Sequence, residues 1–397
     1  MNNMISQRQL FLQHIGQTSE SPMMLEIESA KGIYLIGADG KKYIDLVAGV
    51  SVSNLGHSHP AIVKAVKLQA EKHMHLMVYG EIIQSPQVKF AELLSSQLPD
   101  NLESTYFVNS GSEAVEGALK LAKRYTGRTE IIAFKNAYHG STHGALSLMS
   151  DDFFSIAFRP LLPNIKFLEF SNEADLEQIS EKTACVIVEP VQGEAGVILP
   201  ENDFLKKLQN KCNENGTLLI FDEIQTGFGR TGKLFAFQKY NVEPDIVTMA
   251  KAMGGGMPIG AFISSKKIMD SFMTNPVLGH ITTFGGHPVS AAAALANLKV
   301  LLSEDIINQV DRKAKLLLSI LKHDKIKSIR GVGLFYSVEL ESAEMVQKFF
   351  RKAIENGILT DWFLFNDKRF RISPPLIITD EEIKETVRII LKTLDEI

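Results

Sequence analysis

Two segments of this chain run apolar, then break into charge and glycine. Leu218-Leu219-Ile220-Phe221 ends on Asp222 and continues through Glu223-Ile224-Gln225-Thr226 to Gly227-Phe228-Gly229-Arg230. Ile246-Val247-Thr248-Met249 is followed by Ala250, Lys251 and the run Gly254-Gly255-Gly256. Each apolar run has the length of a buried strand, and glycine marks where it stops. In open α/β sheets, ligands sit just beyond the carboxyl ends of the strands. Neighbouring strands of this kind deliver an acid and an amine to one rim. That pairing suits pyridoxal 5'-phosphate (PLP), whose aldehyde a lysine holds and whose pyridine nitrogen a carboxylate keeps protonated.

The rest of the chain supports such a sheet. From about residue 60 to 280, helical stretches alternate with apolar runs. The helical stretches are Pro60 to Met74, Gln87 to Leu98, Ser112 to Tyr125 and Asp203 to Asn213. The strand candidates are Ile131 to Phe134, Ile165 to Phe167, Cys185 to Val188, Leu218 to Phe221, Ile246 to Met249 and Gly260 to Ile263. The alternation predicts an α/β fold with a mostly parallel sheet between helices. A polar arm and a small hairpin, Gly32 to Ile36 and Lys42 to Leu46 around Ala38-Asp39-Gly40, precede it. An Ala-rich helix from about Pro288 to Leu302 leads into a C-terminal α+β part. The expected division is 1–55 for the arm and part of a small domain, 56–287 for a large cofactor-binding domain, and 288–397 for the rest of the small domain.

Composition removes several function classes. The chain of 397 residues has a formal net charge of −4 and no polybasic stretch, so neither nucleic acid nor an anionic membrane is an expected partner. Met1 to Gln17 lacks the apolar centre of a secretory signal. Ala291 to Leu302, interrupted by Asn297 and Lys299, is too short to cross a bilayer, and a cytoplasmic protein is the default. Cys185 and Cys212 fit no metal spacing, and Cys185 reads as a buried core thiol. His57, His59, His73 and His75 come without a carboxylate or Cys cluster, so they read as structural and no metal is expected.

Four further motifs carry candidate chemistry. Asn109-Ser110-Gly111-Ser112-Glu113-Ala114 opens a helix with Ala114, Ala118, Leu119 and Ala122 on one face. Ser110 and Glu113 have capping-box spacing, and the free N–H groups of a helix start bind phosphate. An ordinary capped helix accounts for the same residues. Tyr138, past the strand Ile131 to Phe134, can stack on a flat ring or simply cap the core. Glu189 directly follows Val186-Ile187-Val188, where a carboxylate is seldom buried without a partner, and reads as functional. For Glu194 a solvent-facing loop carboxylate is a credible alternative. Arg371, in Phe370-Arg371-Ile372, can clamp a carboxylate bidentately, but alone it reads as a surface residue of a strand.

Together these motifs resemble the class III (subgroup II) aminotransferases, PLP enzymes of fold type I, from about Gly32 to Pro375 and in the family's order. The matching pieces are Gly56-His57-Ser58-His59-Pro60, Asn109 to Ala114, Tyr138-His139-Gly140, Glu189 to Gly196, Asp222 to Arg230, Lys251 to Gly260 and Thr283-Phe284-Gly285-Gly286. The resemblance implies roles position by position. Lys251 would hold the cofactor's aldehyde and move the proton, and Asp222 would bind the pyridine nitrogen. Ile224 and Tyr138 would sandwich the ring, and Gln225 would contact its hydroxyl. Gly111 and Ser112 would offer N–H groups to the phosphate, with Ser110, His139 and Glu189 completing the cofactor site. Thr283 would reach the phosphate of the cofactor in the partner subunit, which makes a homodimer obligatory. Arg371 would bind the carboxylate of a 2-oxo acid, and Glu194 would neutralise Arg371 when a cationic amine occupies the site. Val50 and Ser141 would border the substrate.

Within the family, the stretch Ala48 to His57 looks closest to the acetylornithine and ornithine aminotransferases. Those enzymes usually carry Arg directly after the His-Gly of the aromatic motif, where it binds a second carboxylate. Ser141 stands there in this chain, and a neutral hydroxyl cannot replace a bidentate cation. Either another arginine such as Arg159 serves the site, or the amino donor lacks that carboxylate. The expected reaction moves an amino group from an ω-amino donor, ornithine- or acetylornithine-like or another ω-amine, to a 2-oxo acid such as 2-oxoglutarate. An aminomutase or racemase of the family, or a 4-aminobutyrate-type aminotransferase, is the alternative. The intact Lys251, Asp222 and Gln225 argue against a non-catalytic binding protein on the same fold.

Overall fold

The computed structural model describes residues 6–78 and 80–397, so residues 1–5 of the predicted arm lie outside the described residues. A short exposed helix, Gln7–His14, occupies the predicted arm, and three strands follow: β1 (Ile27–Lys31), β2 (Tyr34–Gly37) and β3 (Lys42–Asp45). The predicted hairpin is β2 with β3, and its turn closes with the Gly40 N–H donating to the Gly37 carbonyl at 2.9 Å. β1 is mostly exposed and carries no apolar alternation, so nothing in its sequence announces a strand.

The central sheet is built from β4 (Ser104–Val108), β5 (Glu130–Phe134), β6 (Ile165–Leu168), β7 (Thr183–Val188), β8 (Leu218–Asp222), β9 (Ile246–Met249) and β10 (Gly260–Ser264). Their order across the sheet is β4-β10-β9-β8-β7-β5-β6. The run from β9 through β8, β7 and β5 to β6 is parallel. Every residue of β7, β8 and β9 is buried, as a strand covered by helices on both faces must be. β10 departs from the simple alternation, because it runs antiparallel to both neighbours. Between β9 and β10 lie residues 250–259, with only the short 3₁₀ turn Lys251–Gly254. That is too short for the helical crossover a parallel neighbour requires.

The helix Gly111–Thr126 packs on this sheet through buried Ala114, Ala118, Leu119 and Ala122, and it stops at Gly127 in the left-handed region. The helix Pro288–Ser303 packs against the helices Pro60–Lys72 and Ser85–Ser95. Among the described residues no helix is long and apolar enough to cross a membrane. The C-terminal strands are β11 (Ser328–Val332), β12 (Phe335–Glu339), β13 (Ile358–Leu359), β14 (Trp362–Phe363) and β15 (Asn366–Ile372). They form the sheet β11-β12-β15-β14, except that β13 pairs parallel with β3 and so joins the two ends of the chain. Arg230 bolts these parts together. Its buried guanidinium donates to the Leu334 carbonyl at 2.8 Å, the Pro374 carbonyl at 2.6 Å and Asn54 Oδ1 at 2.5 Å.

Candidate active site

The adjacency of β8 and β9 decides the site. Asp222 closes β8 opposite Thr248 of β9, and Lys251 follows two residues after the end of β9. Lys251 opens the 3₁₀ turn with φ of 46°, a left-handed conformation uncommon for a residue with a Cβ. Both side chains border one cavity of about 390 Å³ at the carboxyl rim of the sheet. Burial lowers the Lys251 pKa, and the Glu194 charge only partly opposes it, so the amine is biased toward its free base.

A buried polar network holds Asp222. Its Oδ1 accepts the Ile224 N–H at 3.0 Å, and its Oδ2 lies 2.7 Å from His139 Nδ1. Burial disfavours the charged imidazole, but the Asp222 carboxylate outweighs burial and raises the His139 pKa. Glu189 receives the Tyr138 and Gly193 N–H groups, each at 2.9 Å. Burial nevertheless pushes its carboxyl up to about 7. Glu189 therefore anchors the backbone of the aromatic motif, and the solvent plays little part in holding it.

The phosphate-type corner lies at the start of Gly111–Thr126. Ser110 caps this helix by accepting the Glu113 N–H at 3.2 Å. The reciprocal half of the predicted capping box is displaced by one residue. Glu113 accepts the Asn109 N–H at 2.6 Å instead of the Ser110 N–H, which corrects the sequence expectation. The first N–H groups of a helix have no intrahelical partner and point outward. Gly140 crosses this corner with φ of 128°, and a Cβ there would sit 2.1 Å from Ser112 Oγ, so only glycine lets the two segments meet.

The structure places the remaining predicted residues as follows. Ser110, Gly111, Ser112, Tyr138, His139, Glu189, Ile224 and Gln225 line the cavity with Asp222 and Lys251. Arg371, Glu194, Ser141, Val50 and Thr283 do not line it. Arg371 is not the surface residue that its strand alone suggests, nor is Glu194 a solvent-facing carboxylate: both are buried and paired at 2.8 Å. Burial opposes ionisation of Glu194, but Arg371 outweighs it and holds the carboxyl below its usual range. Burial likewise pulls the Arg371 pKa down, and the Glu194 and Asp361 charges more than restore it. Ser141 is exposed, 3.1 Å from the Tyr138 hydroxyl. Arg159 pairs with Asp152 at 2.5 Å on an exposed surface. Thr283 is exposed, and Val50 sits with φ of 63° in a left-handed stretch ahead of Val52, which does line the cavity.

Sequence reasoning missed several residues. Val52, Asn109, Thr226 and the loop Met257-Pro258-Ile259 also border the cavity. Asp361 accepts the Arg371 Nε–H at 2.8 Å. The available signal was a carboxylate in an apolar run, Leu359-Thr360-Asp361-Trp362-Phe363, the same pattern that singles out Glu189.

The residues fit a flat, phosphorylated aromatic ring. Gln225 borders the cavity, and its buried Nε2 donor has no partner among the described residues. A Cβ at Gly111 would press to 3.0 Å against Ile224, so the phosphate corner and the ring-packing side chain share one close contact. An amine biased to its free base and a hydrogen-bonded carboxylate share that same cavity.

Known proteins agree. The family model of the class-III aminotransferases matches residues 15–394. The acetylornithine aminotransferase of Archaeoglobus fulgidus is 40% identical over 379 residues, covering 95% of this chain and 97% of that protein. The acetylornithine aminotransferase of Methanosarcina mazei is 41% identical over 373 residues, covering 92% and 91%. Among solved structures, the ornithine aminotransferase of Toxoplasma gondii superposes with a TM-score of 0.91 at 29% identity, covering 99% of this chain and 96% of that one. An (S)-enantioselective omega-transaminase of Thermomicrobium roseum gives 0.91 at 28% identity, covering 97% of each chain. With an acid, an amine and a phosphate corner at one rim of the sheet, this chain belongs to the class-III aminotransferases, PLP-dependent transaminases of fold type I.

Proposed function

We propose that the enzyme moves an amino group from an ω-amine without a remote carboxylate, with a diamine foremost, to a 2-oxo acid, with 2-oxoglutarate as the acceptor to test. The bound PLP supplies an electron sink for the carbon that carries the amino group. Lys251 would hold the cofactor's aldehyde and, as a free amine, would remove and return the proton at the substrate carbon. Asp222, fixed by His139 and the Ile224 N–H, keeps the pyridine nitrogen protonated. Gly111 and Ser112 would present N–H groups to the phosphate, Tyr138 and Ile224 would pack the ring, and Gln225 would donate to the ring oxygen. The exposed Thr283 meets the phosphate of a second copy, so the working unit is a homodimer.

The observation that carries this reading is the buried Arg371–Glu194 pair, whose charges both act on Lys251. While Glu194 covers Arg371, the site accepts a cationic amine. With Glu194 turned away, the same arginine takes the acceptor's carboxylate. Ser141 offers only a hydroxyl to a donor's remote carboxylate, and Arg159 is engaged by Asp152. The two relatives of highest identity named above are acetylornithine aminotransferases, and on this reading the donor is where the chain parts from them.

The test compares kcat/KM for N-acetylornithine, 1,4-diaminobutane and butylamine, read by bleaching of the cofactor's visible absorption. The diamine leads in the wild type, Ser141→Arg improves N-acetylornithine selectively, and Lys251→Ala abolishes turnover with the fold intact. N-acetylornithine as the best donor of the unmodified enzyme would overturn the Ser141 argument and leave the relatives' activity standing.

A further inference from the structure

Arg371 meets two carboxylates, and they are anchored differently. Its guanidinium lies over the Phe363 ring with Cζ 4.6 Å from the ring centroid, which sets its plane. Nη2 donates to Glu194 Oε1 at 2.8 Å, and Nε donates to Asp361 Oδ1 at 2.8 Å. Nη1 is buried with no partner among the described residues.

Asp361 immediately precedes β14, the strand that pairs with β15, which carries Arg371. The Asp361 carbonyl accepts the Arg371 N–H at 2.9 Å, and the Thr360 hydroxyl donates to the Arg371 carbonyl at 2.6 Å. These bonds fix the main chain beneath both side chains, and the short Asp361 side chain has less reach to swing away than a glutamate. Glu194 comes instead from the loop after β7. Its main chain is fixed by the Phe365 N–H at 3.1 Å, but among the described residues its carboxylate has, beyond Arg371, only a 3.3 Å bond from the Leu364 N–H. A rotation about its side chain releases it.

A carboxylate binds arginine best through two parallel N–H donors. The guanidinium fork offers such a pair at its Nη1/Nη2 end or along its Nε/Nη2 side. Asp361 occupies Nε, so only the end remains, and Nη1 is already vacant of any protein partner there. We propose that Asp361 is a positioning residue, holding Arg371 through Nε so that Nη1 and Nη2 receive the acceptor's carboxylate end-on when Glu194 turns away. Asp361 also leaves the buried cation paired between the departure of Glu194 and the arrival of the acceptor, when an unpaired charge would be costly. This role rests on the reading of Arg371 as the acceptor site.

The test uses the holoenzyme with Asp361→Ala and Asp361→Asn, and measures each half-reaction separately. Asp361→Ala raises the KM for 2-oxoglutarate about tenfold or more, as loss of an oriented charged hydrogen bond predicts. Its rate with butylamine falls by less than about threefold, a split that general damage to the fold would not give. Asp361→Asn, whose amide oxygen still accepts from Nε, recovers most of the loss. An unchanged acceptor KM in Asp361→Ala, an equal loss in both half-reactions, or no recovery in Asp361→Asn would overturn the role of Asp361. A wild-type enzyme that transfers to no 2-oxo acid would overturn the functional reading itself, whatever the variants do.

Discussion

Replacing Arg371 by Ala separates binding of the acceptor from everything else the site does. The change removes the cation between Glu194 and Asp361, which then face one pocket with no positive partner. Breaking a buried pair in this way costs about 3–5 kcal/mol of stability, seen as a lower melting temperature. On the proposed role of Arg371, the acceptor loses its carboxylate partner, worth about 2–5 kcal/mol. That is about 30- to 5,000-fold in kcat/KM for 2-oxoglutarate. An amine without an α-carboxylate makes no use of Arg371, so its single-turnover rate, taken per folded enzyme, falls by less than about threefold. Arg371→Lys keeps the charge and loses the fork. With one charged hydrogen bond gone it should cost about 1.5–3 kcal/mol toward the acceptor. The two half-reactions, monitored by loss and return of the cofactor's visible absorption, give the comparison directly. Equal losses in both, or an Arg371→Lys enzyme with wild-type acceptor affinity, would refute the reasoning.

Asp222→Asn should cost about 100- to 1,000-fold in kcat with both substrates, because an amide cannot hold the pyridine nitrogen protonated; a near-normal rate would mean that the acid in β8 is not the ring's partner. Glu223, next to Asp222 in sequence but not on the cavity lining, offers a stability test. Burial pushes its carboxyl from 4.5 up to about 7, against hydrogen bonds from Thr226 and the Phe237 N–H. Its folded pKa is raised, so its contribution to stability is fully present below about pH 4.5 and is lost as pH rises through about 7. Glu223→Gln should flatten that part of the denaturation profile by about 3 kcal/mol at most, and an unchanged slope between those pH values would count against the shifted carboxyl.

The sequence shows the central sheet well where burial is complete. β7, β8 and β9 are apolar at almost every position because helices cover both faces, and a continuous run of that kind is hard to mistake. It shows β4 poorly. That strand lies at the sheet's edge with half-buried Ser104-Thr105-Tyr106-Phe107, so its composition suits a strand while its pattern announces none. β13 has only Ile358–Leu359, and it exists because β3 offers it a parallel partner far away in the chain. No local signal encodes such a pairing.

The site divides along the same physical line. Lys251, Asp222, Gly111 and Glu189 stand at strand ends or a helix start, where position along the chain already decides which rim they reach. Arg371 and Glu194 do not. Each alone looks like a surface charge, and each becomes buried only because the loop after β7 meets β15. A charge is seldom buried without its partner, so the burial of either depends on the other being there. Asp361 makes the point most sharply, since it lies close to Arg371 in sequence and was still missed. What brings its carboxylate to Nε is the turn from β14 into β15, with Phe363 paired to Asn366 across a register shift. A one-residue change in that register would turn successive side chains to the opposite face. The residues of the cofactor site are therefore legible from strand ends, whereas the partners that bury Arg371 are written in a loop contact and in cross-strand register.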